Sequence, residues 1–183
     1  MKVRILVGAL LILSGLMFAA CQGKAPEDAS RAGNQKASAS GWPMNAAALP
    51  EPGFKAQITL ANPPVKLRAG QKETIQVKIK NASDVHWYAR GGEVNTNPDN
   101  RFYIAAGNRW LKAEGEQLVT NMDGRYGLPK NLKPGEEVEL PLQITAPKDP
   151  GEYILEVDLV QEQVAWFGDK GSPTAKAKVA VVR

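Results

Sequence analysis

Few side chains in this sequence have the types and spacing that catalysis requires. His86 is the single histidine, so a Ser–His–Asp device would have to use it. Its place directly before Trp87 predicts a turn or surface histidine instead. Glu156 and Asp158 lie two residues apart and could form a glycosidase-like carboxylate pair. Such residues more often lie on a solvated face or pair with an arginine, and we predict no catalytic site.

Metal and cofactor chemistry is also poorly supported. Without a second histidine or a free thiol, a zinc or copper site is not expected. One loop offers hard oxygens of the kind that bind Ca²⁺, from Glu93, Asn95, Asn97, Asp99 and Asn100. These residues lack the fixed spacing of an EF-hand, so we expect an ordinary loop. No glycine-rich phosphate loop leads from a strand into a helix, and we predict no cofactor.

Trp166 and Phe167 are the candidate binding residues of this sequence. They follow the polar run at residues 161–163 and precede a glycine and an aspartate that favour a turn. We therefore expect them on a loop between the last two strands, where binding residues are often found, with at least one ring partly exposed. The alternative is that this loop folds back and caps the core. Trp87 and Trp110, by contrast, are expected in the core.

The first 20 residues have the pattern of a secretory signal peptide. Lys2 and Arg4 form a positive start, residues 5–16 are mostly apolar, and Ala19-Ala20 is small enough for cleavage. The lone cysteine, Cys21, follows directly, as in the signals of bacterial lipoproteins. We predict that Cys21 becomes the lipidated N-terminus of the mature chain. An uncleaved anchor is the alternative, but the apolar stretch at residues 5–16 is shorter than the ~20 residues that cross a bilayer.

Lipid on Cys21 would attach the protein to a membrane. Each buried methylene contributes about 0.8 kcal/mol, so more than one acyl chain holds a protein there stably. Gln22 stands where an Asp tends to retain such lipoproteins at the inner membrane. We therefore expect the bacterial cell envelope and, where the cell has two membranes, the outer one, with the domain facing the periplasm or the cell surface. A single cysteine excludes an intrachain disulfide.

Residues 21–50 are predicted to form a flexible linker between this cysteine and a domain at residues 51–183. Small and polar residues dominate it, and Trp42, Met44 and Leu49 are its large apolar residues. These are too few to offset the entropy lost on ordering. As a coil, residues 22–50 would span ~30 Å r.m.s.. Trp42 and Met44 are expected to dock loosely on the domain or to have no role, with peptide recognition as an alternative.

The distribution of charge argues against a nucleic-acid partner. The 183-residue chain has a formal net charge of +4. Residues 1–50 carry five basic and two acidic side chains, a net of +3, which leaves +1 for the rest. The basic excess therefore belongs to the leader and the linker. The predicted domain is nearly neutral and has no basic stripe.

Alternating apolar and polar residues predict that the domain is made of strands. The clearest strand, which we place at the centre, has one apolar face, formed by Tyr153, Leu155, Val157 and Leu159. Similar patterns predict strands at residues 54–60, 65–67, 75–79, 85–88, 138–144 and 175–181. Pro141 lies on the polar side of its strand and indicates an edge strand or a bulge.

The middle of the sequence is less regular. Residues 101–104 and 108–112 are expected to form two short strands joined by Ala105-Ala106-Gly107. Residues 117–120 are expected to be extended, and Asp123-Gly124 to lie in a loop. Seven or more short strands separated by Gly and Pro turns predict an all-β, Ig/fibronectin-III-like antiparallel β-sandwich.

Several motifs between Val65 and Arg183 fall in a familiar order. They are Asn81, Trp87, Arg109-Trp110-Leu111, Gly124-Arg125, Leu128-Pro129, Leu132 to Glu136, Ala146-Pro147, Pro150 to Tyr153, Asp158 to Glu162 and Ala165 to Phe167. This order resembles the Ig-like module appended to many bacterial glycosyltransferases and methyltransferases. It is similar, more distantly, to the Ig-like domain of certain autophagy receptors. The resemblance implies an Ig-like or fibronectin-III-like sandwich without catalysis of its own.

Three functional interpretations follow from the sequence. The first is a membrane-tethered Ig-like module that contacts a glycan or an envelope protein. The second is a structural or assembly subunit of an envelope complex that uses a sandwich edge as its interface. The third, a hydrolytic enzyme, has the least support. An exposed Trp166 would favour a glycan platform, whereas an exposed, uncharged edge strand would favour assembly.

Overall fold

A computed structural model describes residues 47–91, 99–114 and 116–183. The described residues form nine strands: β1 (Ala56–Ala61), β2 (Lys66–Arg68), β3 (Lys72–Asn81), β4 (Ile104–Lys112), β5 (Leu118–Gly127), β6 (Glu137–Thr145), β7 (Gly151–Gln161), β8 (Ala165–Trp166) and β9 (Ala175–Val182). Two short 3-10 turns lie at Glu51–Gly53 and Gly168–Lys170. In these three ranges no helix has the length and apolar character needed to cross a membrane.

The strands form two sheets, and the predicted β-sandwich is confirmed. One sheet has the order β1-β3-β6, and the other has the order β2-β9-β7-β4-β5 with β8 added to β7. Neighbouring strands are antiparallel except for β2, which runs parallel to β9. That pair is a departure from the fully antiparallel sandwich that the sequence predicts. β6 is an edge strand, as Pro141 indicates, and a proline there removes no ladder hydrogen bond from a second neighbour.

The core lies between the two sheets, and β7 is at its centre. Tyr153, Leu155, Val157 and Leu159 are all fully buried, so the predicted inner face of this strand is confirmed. Trp87 and Trp110 are fully buried as well. The remaining walls come chiefly from the inner faces of β3, β6 and β9, including Val77, Ile79, Leu140, Leu142, Ile144, Val179 and Val181.

The middle of the chain differs from the prediction. Residues 104–112 form one continuous strand instead of the second of two short strands. Ala105 and Ala106, predicted to link those two strands, are buried within the sheet. β5 runs through Asp123-Gly124 without a loop. A Cβ on Gly124 would collide with the backbone oxygen of Gln143 in β6. This glycine therefore marks a close approach of two strands and not a turn.

Residues 85–88 do not form the predicted strand. Trp87 makes a single bridge to Leu132, with backbone hydrogen bonds in both directions. Its indole N–H donates to the carbonyl of Gly53 at 2.8 Å. Trp87 is therefore held as an isolated core anchor.

The described chain joins the domain before the predicted boundary at residue 51. The Ala47 N–H donates to the Gly91 carbonyl at 2.9 Å, and the Leu49 N–H donates to Oε1 of Gln161 at 2.8 Å. Nε2 of Gln161 donates in turn to the Ala47 carbonyl at 3.1 Å. The last residues of the predicted linker thus pack on the end of β7. The predicted signal peptide, Cys21 and the rest of the linker lie outside the described residues.

Candidate functional site

The structure separates the two aromatic residues that the sequence places together. β8 pairs with the end of β7, and Trp166 lies partly exposed on the outer face of the larger sheet. Phe167 turns inward and is 0% exposed. Its ring centre lies 5.0 Å from that of Phe54 and 5.2 Å from that of Trp87. Phe167 is therefore a core residue rather than the predicted contact residue, and Trp166 alone remains a candidate for binding.

Two arginines from neighbouring strands contact the indole of Trp166. Cζ of Arg109, in β4, lies 4.4 Å from the ring centre, and Cζ of Arg125, in β5, lies 4.7 Å from it. Each such contact contributes about 0.5–1 kcal/mol at an exposed site and more when water is excluded. Together they fix the orientation of the ring on the sheet surface.

Gly107 provides the space in which this cluster packs. It lies opposite Arg125 in the ladder between β4 and β5 and opposite Asp158 in the ladder between β4 and β7. A Cβ at Gly107 would lie 2.9 Å from Cη2 of Trp166 and closer still to Nη1 of Arg125. A larger residue would therefore displace the indole or the guanidinium. Glycine is needed at this position because neighbouring side chains occupy the space of a Cβ, and not because of its backbone conformation.

A carboxylate network lies beside the two arginines. Nε of Arg125 pairs with Oε1 of Glu162 at 2.9 Å. Arg109 lies 3.9 Å from Glu156 and 3.7 Å from Asp158, which are loose ion pairs. Glu156 also accepts a 2.9 Å hydrogen bond from the Thr174 hydroxyl. The sequence suggests that Glu156 and Asp158 either lie on a solvated face or pair with an arginine. In the structure both are largely buried and lie beside Arg109.

Asp158 is the most buried member of this network, with 1% of its side chain exposed. It accepts hydrogen bonds from the backbone N–H of Gly168 at 3.0 Å and of Leu159 at 2.7 Å. Burial raises the pKa of Asp158 to about 6, although these backbone donors and Arg109 oppose the shift. Gly168 lies two residues after Trp166, at the end of the hairpin formed by β7 and β8. Its hydrogen bond to Asp158 therefore holds the end of this hairpin against β7.

A groove of about 260 Å³ runs beside Trp166. Its walls are Arg125 and the hairpin residues 160–166. The apolar part of the wall includes Val164, which is 38% exposed. The polar part includes Glu162 and Gln163. The groove therefore combines an aromatic ring, an exposed aliphatic side chain and an arginine in one concave surface, the composition typical of protein contact sites.

A second surface lies along β5, an edge strand of the larger sheet. Leu118, Val119 and Tyr126 on this strand are 52%, 40% and 39% exposed. A groove of about 350 Å³ next to it is lined by Val119, Thr120 and residues 145–149. An edge with apolar side chains is a place where another strand can pair.

The remaining candidates that the structure describes are His86, Asp99 and Asn100. His86 stacks on Tyr88, with ring centres 4.4 Å apart. Of the predicted calcium-loop residues, Glu93, Asn95 and Asn97 lie outside the described residues. The Asp99 carbonyl accepts a hydrogen bond from Gln163. Across residues 47–91, 99–114 and 116–183, no three Asp, Glu, His or Cys side chains come together as metal ligands would.

Sequence reasoning did not identify Arg109, Arg125 or Gly107 as parts of this surface. Arg109 directly precedes Trp110, which is predicted in the core. Because neighbouring residues of a strand point to opposite faces, this order could have placed Arg109 on the outer face. No local signal pairs it with Trp166, because the two residues are 57 positions apart in the numbering and meet only through the pairing of β7 with β4 and β8.

Comparison with known proteins gives neither a family nor a curated relative. No family model matches the chain, and no curated protein matches it. The solved structures that match the chain include a CARDB domain from Pyrococcus furiosus, at 15% identity and a TM-score of 0.40, covering 70% of this chain and 94% of that one. A β-glucosidase from Listeria innocua matches at 14% identity and a TM-score of 0.41, and this chain spans 16% of its length. A sporulation control protein from Bacillus subtilis matches at 16% identity and a TM-score of 0.39, with 70% of this chain and 49% of that one covered.

Proposed function

We propose that this protein is a membrane-tethered, non-catalytic interaction module of the bacterial cell envelope. Lipid on Cys21 anchors it, the linker holds the sandwich away from the lipid surface, and the Trp166 groove contacts a partner. The proposal that this groove is a contact surface is supported by the position of Trp166. Its ring is partly exposed beside the 260 Å³ groove and is oriented by two guanidinium groups. Fixed aromatic rings supply much of the energy of protein interfaces.

A partner protein of the envelope fits this groove better than a glycan does. Arg109 and Arg125 already contact the indole, so a sugar ring would have to share or displace them. A protein can place apolar side chains against Val164 and polar groups against the partly exposed Arg125. Arginine and tryptophan are also enriched among residues that dominate protein interfaces. A glycan remains the second candidate for this same surface.

Assembly through a sandwich edge is the alternative function, and it is supported by the exposed apolar side chains of β5, a strand that also carries Asp123 and Arg125. Its three exposed apolar side chains lie on one edge, beside a groove of their own. A partner strand that pairs with β5 would cover them. In this case the Trp166 groove would have no part in binding, so contacts mapped at the two surfaces separate the two functions.

Site-specific photo-crosslinking in the native cell would test the proposed contact. A benzophenone amino acid is placed at Val164 in the groove, at Leu118 on β5, or at Thr59 on the smaller sheet as a control. A discrete protein adduct at Val164, lost in the Trp166→Ala variant, would support the groove. Adducts at Leu118 alone would favour assembly through the edge. If Val164 and Thr59 give the same pattern, and binding to purified cell-wall polysaccharide does not depend on Trp166, the groove is not the contact site.

The anchor has a separate test. The Cys21→Ser variant and the parent are expressed at matched levels, and the cells are fractionated. The parent should sediment with membranes and incorporate labelled palmitate, whereas the variant should lose the label and its tight membrane association. An unlabelled parent, or a variant that stays equally tightly bound, would refute lipid anchoring.

A further inference from the structure

The N-terminal end of the described chain is held next to the Trp166 groove. Gln161 binds both Ala47 and Leu49 through its side-chain amide. Gln161 is itself 1% exposed, and it is part of the wall of the groove. The described chain therefore begins next to this groove, at Ala47.

The groove presents apolar surface that an adjacent segment could cover. Val164 is 38% exposed, Trp166 is partly exposed, and Val160 forms part of the same wall. Burying apolar surface contributes about 25 cal/mol per Å². Arg125 is part of the same wall, its side chain is 30% exposed, and a guanidinium is a group on which a second aromatic ring can stack.

The sequence provides one side chain suited to this groove at the right distance. Trp42 lies five residues before Ala47, and five extended residues span at most roughly 17 Å. Between residues 22 and 46 the large apolar side chains are Trp42 and Met44, so both lie next to the attachment point. Pro43 biases Trp42 toward an extended backbone, which suits a segment laid along a groove.

We infer that the linker of the same chain docks on this surface, with the indole of Trp42 in the groove between Val164 and Arg125. The short connection to Ala47 gives Trp42 a millimolar effective concentration at the groove, so a modest affinity is sufficient for occupancy. When Trp42 is docked, only the part of the linker before Trp42 is left to separate the domain from Cys21. A partner that uses the groove must displace the indole, and this competition rests on the proposed function. The docking itself does not.

Disulfide trapping in the full chain would test the docking without any partner. Cys21 is replaced by Ser so that two engineered cysteines are the only thiols. One cysteine replaces Asn45 in the linker. The second replaces Val164 at the groove or Asp84, an exposed position away from it. The rate of disulfide formation is measured for each pair, with and without Trp42→Ala. Ser40→Ala is a matched linker control.

If Trp42 docks, Trp42→Ala should slow trapping at Val164 about tenfold, because the linker then samples the groove only by diffusion. The same variant should not slow trapping at Asp84, and Ser40→Ala should change neither rate. The indole N–H resonance of Trp166 should also shift in Trp42→Ala when the Val164 cysteine is absent. Equal trapping rates with and without Trp42, together with an unmoved Trp166 resonance, would overturn the inference. Failure of the photo-crosslinking test, by contrast, would leave this docking in place and remove only the partner.

Discussion

The buried carboxyl group of Asp158 should make the stability of the domain depend on pH. Its pKa is about 6 in the folded protein, against 3.8 for an unperturbed aspartate. Between these values the folded state keeps the proton that the unfolded chain has lost. The unfolded state therefore binds fewer protons, and the free energy of unfolding falls as pH rises from about 4 to about 6.

The size of this effect follows from the shift. Each unit of pKa corresponds to about 1.4 kcal/mol, so a shift of about two units predicts a loss of about 3 kcal/mol by pH 7. Asp158→Asn removes the titrating group and keeps an oxygen that can accept the Gly168 N–H. The stability of this variant relative to the parent should therefore increase by about 3 kcal/mol between pH 4 and pH 7.

Urea unfolding followed by circular dichroism at several pH values measures this difference directly. Asp84→Asn, the same substitution at an exposed position, serves as the matched control. A difference between Asp158→Asn and the parent that is constant from pH 4 to pH 7 would refute the burial argument. A difference that changes in the opposite direction would show that Arg109 and the backbone donors outweigh desolvation.

Three further predictions concern packing. Phe167→Ala should lower the free energy of unfolding by about 3–5 kcal/mol, whereas Trp166→Ala, which loses two cation–π contacts at the surface, should cost about 1–2 kcal/mol; equal losses in urea titrations would contradict the division between core and surface. Gly124→Ala should cost about 1–3 kcal/mol because its Cβ meets the β6 backbone, and an unchanged thermal midpoint would argue against that close approach. Leu155→Ala should cost about 2–5 kcal/mol, while the exposed Lys178→Ala should stay within about 0.5 kcal/mol, and a reversed order would mean that the faces of β7 are misassigned.

The sequence predicted the strands whose pattern is local and regular. The inner face of β7 follows from alternation alone, because a period of two brings Tyr153, Leu155 and Val157 to one side whatever the neighbouring strands are. The same argument predicts β3 and β6, and Pro141 indicates either an edge strand or a bulge, of which the structure has the edge strand. These features need no knowledge of which strands pair, since each depends on residues that are close in the sequence.

Where a local sequence pattern was compatible with two structures, the tertiary structure decided which one formed. A glycine followed or preceded by small or polar residues is typical of a turn, yet Gly107 and Gly124 lie inside strands. Their lack of a side chain accommodates Trp166 and the β6 backbone, both distant in sequence. The parallel pairing of β2 with β9 is likewise a long-range contact that alternation within either strand does not encode.

The candidate site depends on tertiary structure for the same reason. The polar run before Trp166 predicted a loop between the last two strands, and the sequence did not distinguish the roles of Trp166 and Phe167. Pairing of β8 with the end of β7 points one ring to the core and leaves the other on the outer face. Burial of Asp158 on that face requires Arg109, Gly168 and the returning hairpin to cover it. A carboxylate's environment is set by the atoms packed around it, and those atoms come from segments that only folding brings together.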